Sequence, residues 1–186
     1  GIGAGVLNVY GDDLRKEMAA LPHTNAVLAL LRDGFVEQSP GGSIRLADDG
    51  SPMLDYELSD YVWEGVKRAY LSMAELQFAA GAQRVRQAHI DASYQTSWTD
   101  AKKAIAELPL KKFRATLFTA HLMGGCAMSQ NPKRGVVDSG GRHHQLANLS
   151  VMDGSVFPTS IGANPQLSIY GLVAQNATAL AKQLKT

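Results

Sequence analysis

The apolar residues of this chain change their spacing at Ser59. Before it they alternate with polar residues over 44–47 and 54–58, on either side of a turn sequence at 48–52, which is typical of a β-hairpin. After it they recur every three or four residues, as they do on one side of a helix. A hairpin followed directly by a long helix predicts an α+β fold, in which an antiparallel sheet packs with helices.

The long helix after the hairpin carries signals at both of its ends. Ser59 is expected to cap the first turn with its hydroxyl group. Gly81 is expected to end the helix in the left-handed conformation that glycine adopts without strain. The residues predicted to face the core are Val62, Val66, Ala69, Met73, Leu76 and Ala80.

Further elements are predicted on both sides of this segment. Residues 12–20 form a helix that Leu21-Pro22 ends, since the residue before a proline leaves the helical region. Residues 26–31 form a buried strand, although a turn of helix would show the same short apolar run. The other predictions are a strand at 84–90, a helix capped by Thr99 or Asp100 and ending at Leu108, a strand at 113–118, and a C-terminal helix from Asn164 to Lys182 with Leu167, Tyr170, Ala174, Ala177, Ala181 and Leu184 on its apolar side.

The first residues carry glycines whose spacing partly matches a dinucleotide-binding fingerprint. Gly1 and Gly3 fit, but Val6 stands where the third glycine belongs, and no strand precedes them. Residues 1–6 are therefore interpreted as a loop. Because the chain opens on Gly1 and not on Met, we expect it to be a fragment whose N-terminus lies elsewhere.

Charge and cysteine content argue against several classes of partner. Lys and Arg number 18 and Asp and Glu 17, which gives a net charge of +1. The basic clusters at 102–103 and 111–114 are too short for the surface that nucleic acid or an acidic membrane requires. The single cysteine, Cys126, excludes an internal disulfide and a zinc site of several thiolates. No apolar run reaches the ~20 residues of a membrane span.

Chemistry is expected after residue 119, where the chain becomes dense in glycines and turns. His121 follows a strand-like run and precedes Gly124-Gly125, a pair that lets the backbone approach another group closely. From the residues alone, a hydrogen-bonded structural histidine is the commoner role for such a side chain. Cys126 is interpreted as a small buried side chain and not as a nucleophile. His143-His144 is interpreted as part of a turn, so no metal site is predicted.

The start of the C-terminal helix is well specified by the sequence. Asn164 is a good N-cap, and Pro165 suits the first helical position because its missing N–H would be unpaired there. The N–H groups of Gln166 and its neighbours are then expected to be free donors at the positive end of the helix dipole. An anion would be favoured there, although an ordinary capped helix docked on a core has the same sequence.

Four motifs follow one another between His121 and Pro165, and their order is more specific than any one of them. Together they resemble the C-terminal part of the glucose-methanol-choline (GMC) flavoprotein oxidoreductases. The resemblance covers 119–186, and the hairpin and long helix upstream are similar to that family's substrate-binding domain. The motifs are His121-x-x-Gly124-Gly125-Cys126-x-Met128, Gly135-Val136-Val137-Asp138, Leu149-x-Val151-x-Asp153-Gly154-Ser155-x-x-Pro158 and Asn164-Pro165.

The resemblance implies two domains and a reaction. Residues 1–118 correspond to a substrate-binding domain that is incomplete at its N-terminus, and residues 119–186 to the C-terminal strand and helix portion of an FAD-binding domain. The implied activity is oxidation of the CH–OH group of a small-molecule alcohol to a carbonyl, with hydride transfer to N5 of FAD. Gly124-Gly125 resembles the cholesterol oxidase and long-chain alcohol branch of the family.

The resemblance also implies a role for each matching residue. His121 corresponds to the catalytic histidine that accepts the hydroxyl proton, and Asn164 to its partner at the substrate oxygen. Asp153 and Gly154 correspond to the stretch that approaches the ribityl and phosphate part of FAD. Pro165 and Gln166 correspond to the turn that contacts the pyrimidine end of the flavin ring.

The residues that anchor most of the FAD are expected outside this chain. The family's N-terminal Rossmann half, with its glycine-rich loop on the pyrophosphate, is absent from these 186 residues. That half of the same protein is therefore the expected partner. The alternative is a stand-alone ligand-binding or interaction module that kept the scaffold and lost FAD.

Overall fold

The computed structural model of the chain describes residues 7–34, 36–39 and 41–185. Its helices and strands, in chain order, are α1 (Gly11–Ala20), β1 (Gly42–Leu46), β2 (Pro52–Tyr56), α2 (Asp60–Ala79), α3 (Trp98–Glu107) and α4 (Gln166–Gln183). Single 3-10 turns lie at Leu21–His23 and Gly154–Val156. The predicted α+β class is confirmed. The loop predicted for residues 1–6 lies outside the described residues.

The chain forms two compact units. Unit 1 comprises Gly1–Leu31 and Gly42–Phe118, and unit 2 comprises Arg32–Gly41 and Thr119–Thr186. The main boundary lies between residues 118 and 119, where the composition of the sequence changes. The assignment of these units to a substrate-binding and an FAD-binding domain stays a prediction.

The predicted hairpin is confirmed and has a regular register. Strands β1 and β2 pair antiparallel, with Ile44 opposite Leu54 and Leu46 opposite Pro52. In the turn, the Asp49 carboxylate accepts hydrogen bonds from the hydroxyl and the backbone N–H of Ser51, which lower the pKa of that carboxyl. Every residue of both strands is exposed. The apolar side of the hairpin therefore lies open within unit 1.

The core of unit 1 lies between α2 and α3. Val66 and Ala74 of α2 pack with Ala101 and Ile105 of α3, and all four side chains are buried. Tyr70 completes this cluster, and its hydroxyl donates a 2.8 Å hydrogen bond to the carbonyl oxygen of Ala88. Burial raises the pKa of Tyr70 to about 12. The polar end of a core side chain thus connects α2 to the irregular segment before α3.

The face that α2 buries differs from the predicted one in its second half. Val62 and Val66 are buried as expected, and Ala69 and Met73 are half-buried. The buried residues further along are Tyr70 and Ala74, whereas Leu76 and Ala80 are exposed. The prediction followed steps of three and four residues, but the buried face continues at steps of four because the Tyr70 ring reaches into the core.

The helix ends follow the sequence signals with three exceptions, one of which is α4, where Pro165 and not Asn164 occupies the N-cap position. Helix α1 ends before Leu21-Pro22, and Gly81 follows α2 with φ +90°, as expected. Ser59 precedes α2, but its hydroxyl caps no N–H group and is buried with no hydrogen-bond partner among the described residues. The predicted caps of α3, Thr99 and Asp100, are wrong, since Ser97 takes that position.

The cap of α3 is reciprocal. The Ser97 hydroxyl oxygen accepts the N–H of Asp100 at 3.1 Å and donates its own proton to the Asp100 carboxylate at 2.7 Å. Two side chains thus order the first turn, although the Asp100 carboxylate accepts the Ser97 hydroxyl and not its backbone N–H as in a capping box. Asp100 contributes to the cap from the third helical position, which explains why the sequence allowed it as the capping residue.

Three predicted strands are absent from unit 1 as the structure describes it. Residues 26–31 are irregular and mostly exposed. Residues 84–90 make only the isolated pairs Val85 with Gln95 and His89 with Ala115. Residues 113–118 begin at Phe113, whose φ of 65° lies outside the strand region and whose side chain is 93% exposed. A strand needs a neighbouring strand to complete its hydrogen bonds. Residues 84–90 and 113–118 pair with each other only at the bridge between His89 and Ala115, which is too short to form a regular strand pair.

Unit 2 consists of glycine-rich loops and α4. Isolated bridges join Met128 with Val137 and Val137 with His143, and Val137 is completely buried. Asn176 of α4 is also buried, and its side-chain amide donates to the carbonyl oxygen of Ser139 at 3.3 Å. A few well-buried side chains therefore hold the loops against the helix.

The predicted orientation of α4 is wrong. Its inward side carries Asn176 together with the half-buried Ile169, Leu172, Val173 and Leu180. The predicted apolar stripe, Leu167, Tyr170, Ala174, Ala177, Ala181 and Leu184, is exposed. Both sides of this helix are apolar, so the periodicity fits either orientation. No helix in the described part of the chain has the length and apolar content needed to cross a membrane.

The two serines before α2 and α3 should differ in their effect on stability. Ser97→Ala should lower the free energy of unfolding by about 1 kcal/mol, because it removes a cap that satisfies a helix N–H. Ser59→Ala should cost less than about 0.5 kcal/mol, since its hydroxyl makes no such bond. Urea unfolding of both variants measures the difference, and equal losses would contradict these cap assignments.

Candidate functional site

Two loop segments of unit 2 run side by side at the place where the sequence predicts chemistry. The backbone N–H of Cys126 donates to the carbonyl oxygen of Ser155 at 3.0 Å. The N–H of Met128 donates to the carbonyl oxygen of Val156 at 2.8 Å. These two bonds align residues 126–128, which follow His121, with the 3-10 turn that begins at Gly154.

Gly154 joins these loops to α4. A methyl group placed on its Cα would lie 2.9 Å from Cδ1 of Ile169 and 3.4 Å from the carbonyl oxygen of Leu122. The first distance is shorter than carbon atoms tolerate, so only glycine permits the approach without movement of the Ile169 side chain. Three segments therefore meet at Gly154: the residue after His121, the 153–155 turn, and the first turn of α4.

Gly124 performs a related function in the loop after His121. Its φ is +85°, and an added methyl group would lie 3.4 Å from the carbonyl oxygen of Pro158. A left-handed conformation is strained for residues with a side chain. Glycine at this position thus lets the chain turn after His121 and run back beside residues 155–158.

His121 is exposed, and its ring makes no hydrogen bond or ion pair with any residue that the structure describes. The other histidines of unit 2 differ in this respect. Nδ1 of His143 accepts the N–H groups of Gln145 and Leu146, and Nε2 of His144 lies 2.9 Å from the carbonyl oxygen of Ser129. An imidazole whose nitrogens are uncommitted can accept a proton from a bound molecule.

The start of α4 has unpaired donors, but not all the predicted ones. The N–H of Gln166 is not free, because it donates to Oδ1 of Asn164 at 3.2 Å. Ile169 donates to the carbonyl oxygen of Pro165, whereas the N–H groups of Leu167 and Ser168 have no acceptor among the described residues. The positive end of α4 therefore presents two free backbone donors.

The Asn164 side chain has two different ends. Its oxygen is occupied by the cap, while its exposed amide nitrogen makes no hydrogen bond within the described part of the chain. This nitrogen is a donor, so the same residue can cap the helix and donate to a bound molecule. The ring of the buried Pro165 fixes the φ angle of that residue, next to Asn164.

The other predicted site residues are engaged with near neighbours that the sequence analysis missed. The Asp153 carboxylate accepts the backbone N–H of Ser155 at 2.8 Å and caps the 3-10 turn. The side-chain amide of Gln166 donates to the Tyr170 hydroxyl at 2.7 Å. The sequence spacing of each pair could have predicted these bonds. Asp-x-Ser favours a turn, and residues four apart lie next to each other on a helix.

The structure connects five of the six predicted site residues through direct contacts in this region. Gly154, Pro165, Gln166 and Asn164 are linked through the first turn of α4, and Asp153 caps the turn containing Gly154. The sixth residue, His121, is connected to this region by its neighbour Leu122, whose carbonyl oxygen lies near Gly154. The His121 ring itself makes no hydrogen bond or ion pair there among the described residues. No cluster of three or more metal-ligating side chains is present in residues 7–34, 36–39 and 41–185.

Comparison with known proteins finds a matching family model and two relatives that match most of the chain. A family model described as GMC oxidoreductase matches residues 38–172. The chain is 28% identical over 167 residues to long-chain-alcohol oxidase FAO4A of Arabidopsis thaliana, a match that covers 86% of this chain and 22% of that protein. It is 31% identical over 149 residues to the uncharacterized GMC-type oxidoreductase y4nJ of Sinorhizobium fredii (strain NBRC 101917 / NGR234), covering 78% of this chain and 29% of that protein.

A shorter match has higher identity. The chain is 51% identical over 55 residues to cholesterol oxidase of Acinetobacter baumannii, a match that covers 30% of this chain and 10% of that protein. In each of these comparisons the chain spans less than a third of the relative's length.

Gly154→Ala should destabilise unit 2 by about 1 kcal/mol or less, because the new methyl group overlaps Cδ1 of Ile169, an atom at the end of a side chain that can move. Adding Ile169→Val removes that atom and should recover much of the loss, which a double-mutant cycle in urea unfolding measures. Gly171→Ala is the control for the added methyl group, since it meets nothing within 4 Å there, and it should raise stability by about 0.5–1 kcal/mol because alanine favours a helix interior more than glycine does. A Gly154→Ala variant as stable as the unmodified chain would contradict the close packing.

Proposed function

The chain belongs to the GMC oxidoreductase family, and on that premise we propose that it is the C-terminal part of an FAD-dependent enzyme. The proposed reaction oxidises the CH–OH group of an alcohol to a carbonyl. The observation that supports it best is the meeting of three segments at Gly154, since the residue after His121 and the first turn of α4, with its free N–H groups, both contact it.

The residues at the start of α4 fit the polar edge of a flavin ring. The free N–H groups of Leu167 and Ser168 and the helix dipole favour an acceptor that gains negative charge. Pro165 and Gln166 would hold the pyrimidine end, and Asp153 and Gly154 the ribityl and phosphate part. The chemistry that FAD supplies when bound is hydride acceptance at its N5 atom.

His121 and Asn164 divide the proton chemistry between them in this proposal. The uncommitted ring of His121 accepts the proton of the substrate hydroxyl, which makes the adjacent C–H a better hydride donor. The free amide nitrogen of Asn164 donates to the same oxygen and orients the alcohol. The Asn164 oxygen stays on the helix cap, so the amide is held with its N–H groups outward.

The substrate that we propose is an apolar alcohol. The relatives include proteins named as long-chain-alcohol and cholesterol oxidases. The Gly124-Gly125 pair is the variant that resembles this branch of the family. The rest of the FAD, above all its pyrophosphate, would bind the N-terminal Rossmann half of the same protein, since this chain spans only 22–29% of its longer-matching relatives.

His121→Ala in the full-length protein, meaning the complete polypeptide encoded by the gene that contains this chain, should leave FAD bound. It should slow flavin reduction by an alcohol about 10²- to 10⁴-fold, as expected for the loss of a general base. Stopped-flow bleaching of the flavin absorbance measures the rate.

His23→Ala is the matched control for this experiment, because His23 is an exposed histidine of unit 1 far along the chain from the site. Its variant should reduce flavin at the normal rate. A normal rate of flavin reduction in His121→Ala would contradict the proposed proton acceptor and leave His121 with a structural role. A full-length protein without flavin would favour the non-catalytic binding module instead.

Two substitutions separate the roles of Asn164. Asn164→Asp should keep the cap and cost little stability, but it lacks the N–H donor and adds negative charge beside a flavin that must become negative. Flavin reduction should therefore slow strongly. Asn164→His retains a ring N–H and should preserve more activity while capping less well. The melting temperature and the single-turnover rate of flavin reduction are measured for both variants. The proposal is contradicted if the rate falls only in proportion to the loss of stability.

A further inference from the structure

A short antiparallel pairing in unit 1 places three side chains on one side of the backbone. Val85 and Gln95 exchange two backbone hydrogen bonds, each 2.9 Å long. Arg86 therefore lies opposite Tyr94, and Arg84 lies diagonally across from the same residue. Side chains alternate between the two sides of an extended segment. Because Val85 packs against the core of unit 1, the two arginines lie on the other side.

The Tyr94 ring holds both guanidinium groups. Cζ of Arg84 lies 4.2 Å from the centroid of the ring, and Cζ of Arg86 lies 5.0 Å from it. Both distances are within the range of a cation–π interaction. Two positive charges are therefore positioned close together by one aromatic ring.

Only one of these two arginines has a carboxylate partner among the described residues. Oε1 of Glu17, in α1, lies 3.5 Å from Nη2 of Arg86, and the side chains of this ion pair are 14% and 18% exposed. Oε2 of Glu17 accepts the Tyr94 hydroxyl proton at 2.7 Å. Arg84 is exposed and makes no hydrogen bond or ion pair with any residue that the structure describes. Its N–H donors are therefore available to another molecule.

These side chains line a cavity of about 300 Å³ between α1 and residues 84–94. The other charged residues of its wall are Asp13 and Lys16. Lys16 forms ion pairs with Asp12 and Asp13, each at 3.2 Å. Each carboxylate of the wall is thus already paired with a cation, and the charge that remains is the positive charge of Arg84.

We propose that this cavity binds the oxyanion end of a small molecule, a phosphate or a carboxylate group, with Arg84 as the principal ligand. A guanidinium group binds such groups through two parallel N–H donors. Arg86 adds positive charge beside the same ring, whereas Glu17 neutralises part of it and repels a second anion. None of these residues belongs to the candidate functional site, so the inference does not depend on the proposed reaction.

Calorimetric titration of the full-length protein with inorganic phosphate and, separately, with succinate tests the inference. The ionic strength is kept low and constant, because salt weakens the attraction between exposed charges. At least one of the two anions should bind saturably, and the one that binds distinguishes a phosphate from a carboxylate site. Arg84→Gln should weaken that binding about ten- to a hundredfold, because hydrogen bonds to a charged group are lost.

Arg45→Gln is the matched control, since it removes the charge of another exposed arginine of unit 1, in strand β1. This variant should bind the anion as tightly as the unmodified protein. No saturable binding of either anion would overturn the inference. Binding that Arg84→Gln leaves unchanged would overturn it as well, because the anion would then lie at another site.

Glu17→Gln provides a second test with the opposite sign. It removes the negative charge that competes for Arg86, while its amide oxygen still accepts the Tyr94 hydroxyl proton. Phosphate or succinate should therefore bind about three- to tenfold more tightly. Damage to the fold would weaken binding, so a gain in affinity is specific to the proposed site. Unchanged or weaker binding in a Glu17→Gln protein with a normal melting temperature would contradict the inference.

Discussion

The close approach at Gly154 is the contact that joins the loops around His121 to α4. Without a side chain, this residue lies against the Leu122 carbonyl oxygen and the Ile169 side chain at once. Backbone hydrogen bonds from Cys126 to Ser155 and from Met128 to Val156 align the two loops, and the contact at Gly154 adds the first turn of α4 to them. It connects the backbone beside His121 to the first turn of α4, and the proposed chemistry requires that connection.

The polar atoms of this region divide into those that build the fold and those that remain available. The Asp153 carboxylate and the Asn164 oxygen are used for capping. The Asn164 amide nitrogen, the His121 ring and two N–H groups of α4 are not used within the described residues. The uncommitted set contains a proton acceptor and several donors, which is the combination that alcohol oxidation beside a flavin needs.

The sequence predicts the parts of this structure that local backbone chemistry determines. The hairpin turn, the helix end at Gly81 and the bond from the Gln166 N–H to Asn164 at the start of α4 follow from residues within a few positions. The strands predicted at 84–90 and 113–118 are wrong because these segments pair with each other at a single bridge only, and the length of a pairing depends on both segments together. The orientation of α4 failed because both its sides are apolar. The meeting at Gly154 needs a contact fifteen residues away along the chain, which periodicity does not encode.

The central claim is that His121 and Asn164 share one site, and an engineered metal bridge tests it most directly. In the Asn164→His chain the two imidazoles should bind Cu²⁺ together, since paired imidazoles are good ligands for this ion. Calorimetric titration should show a site absent from the unmodified chain and lost again when His121→Ala is added. A Cu²⁺ site that persists without His121, or no new site at all, would contradict the account.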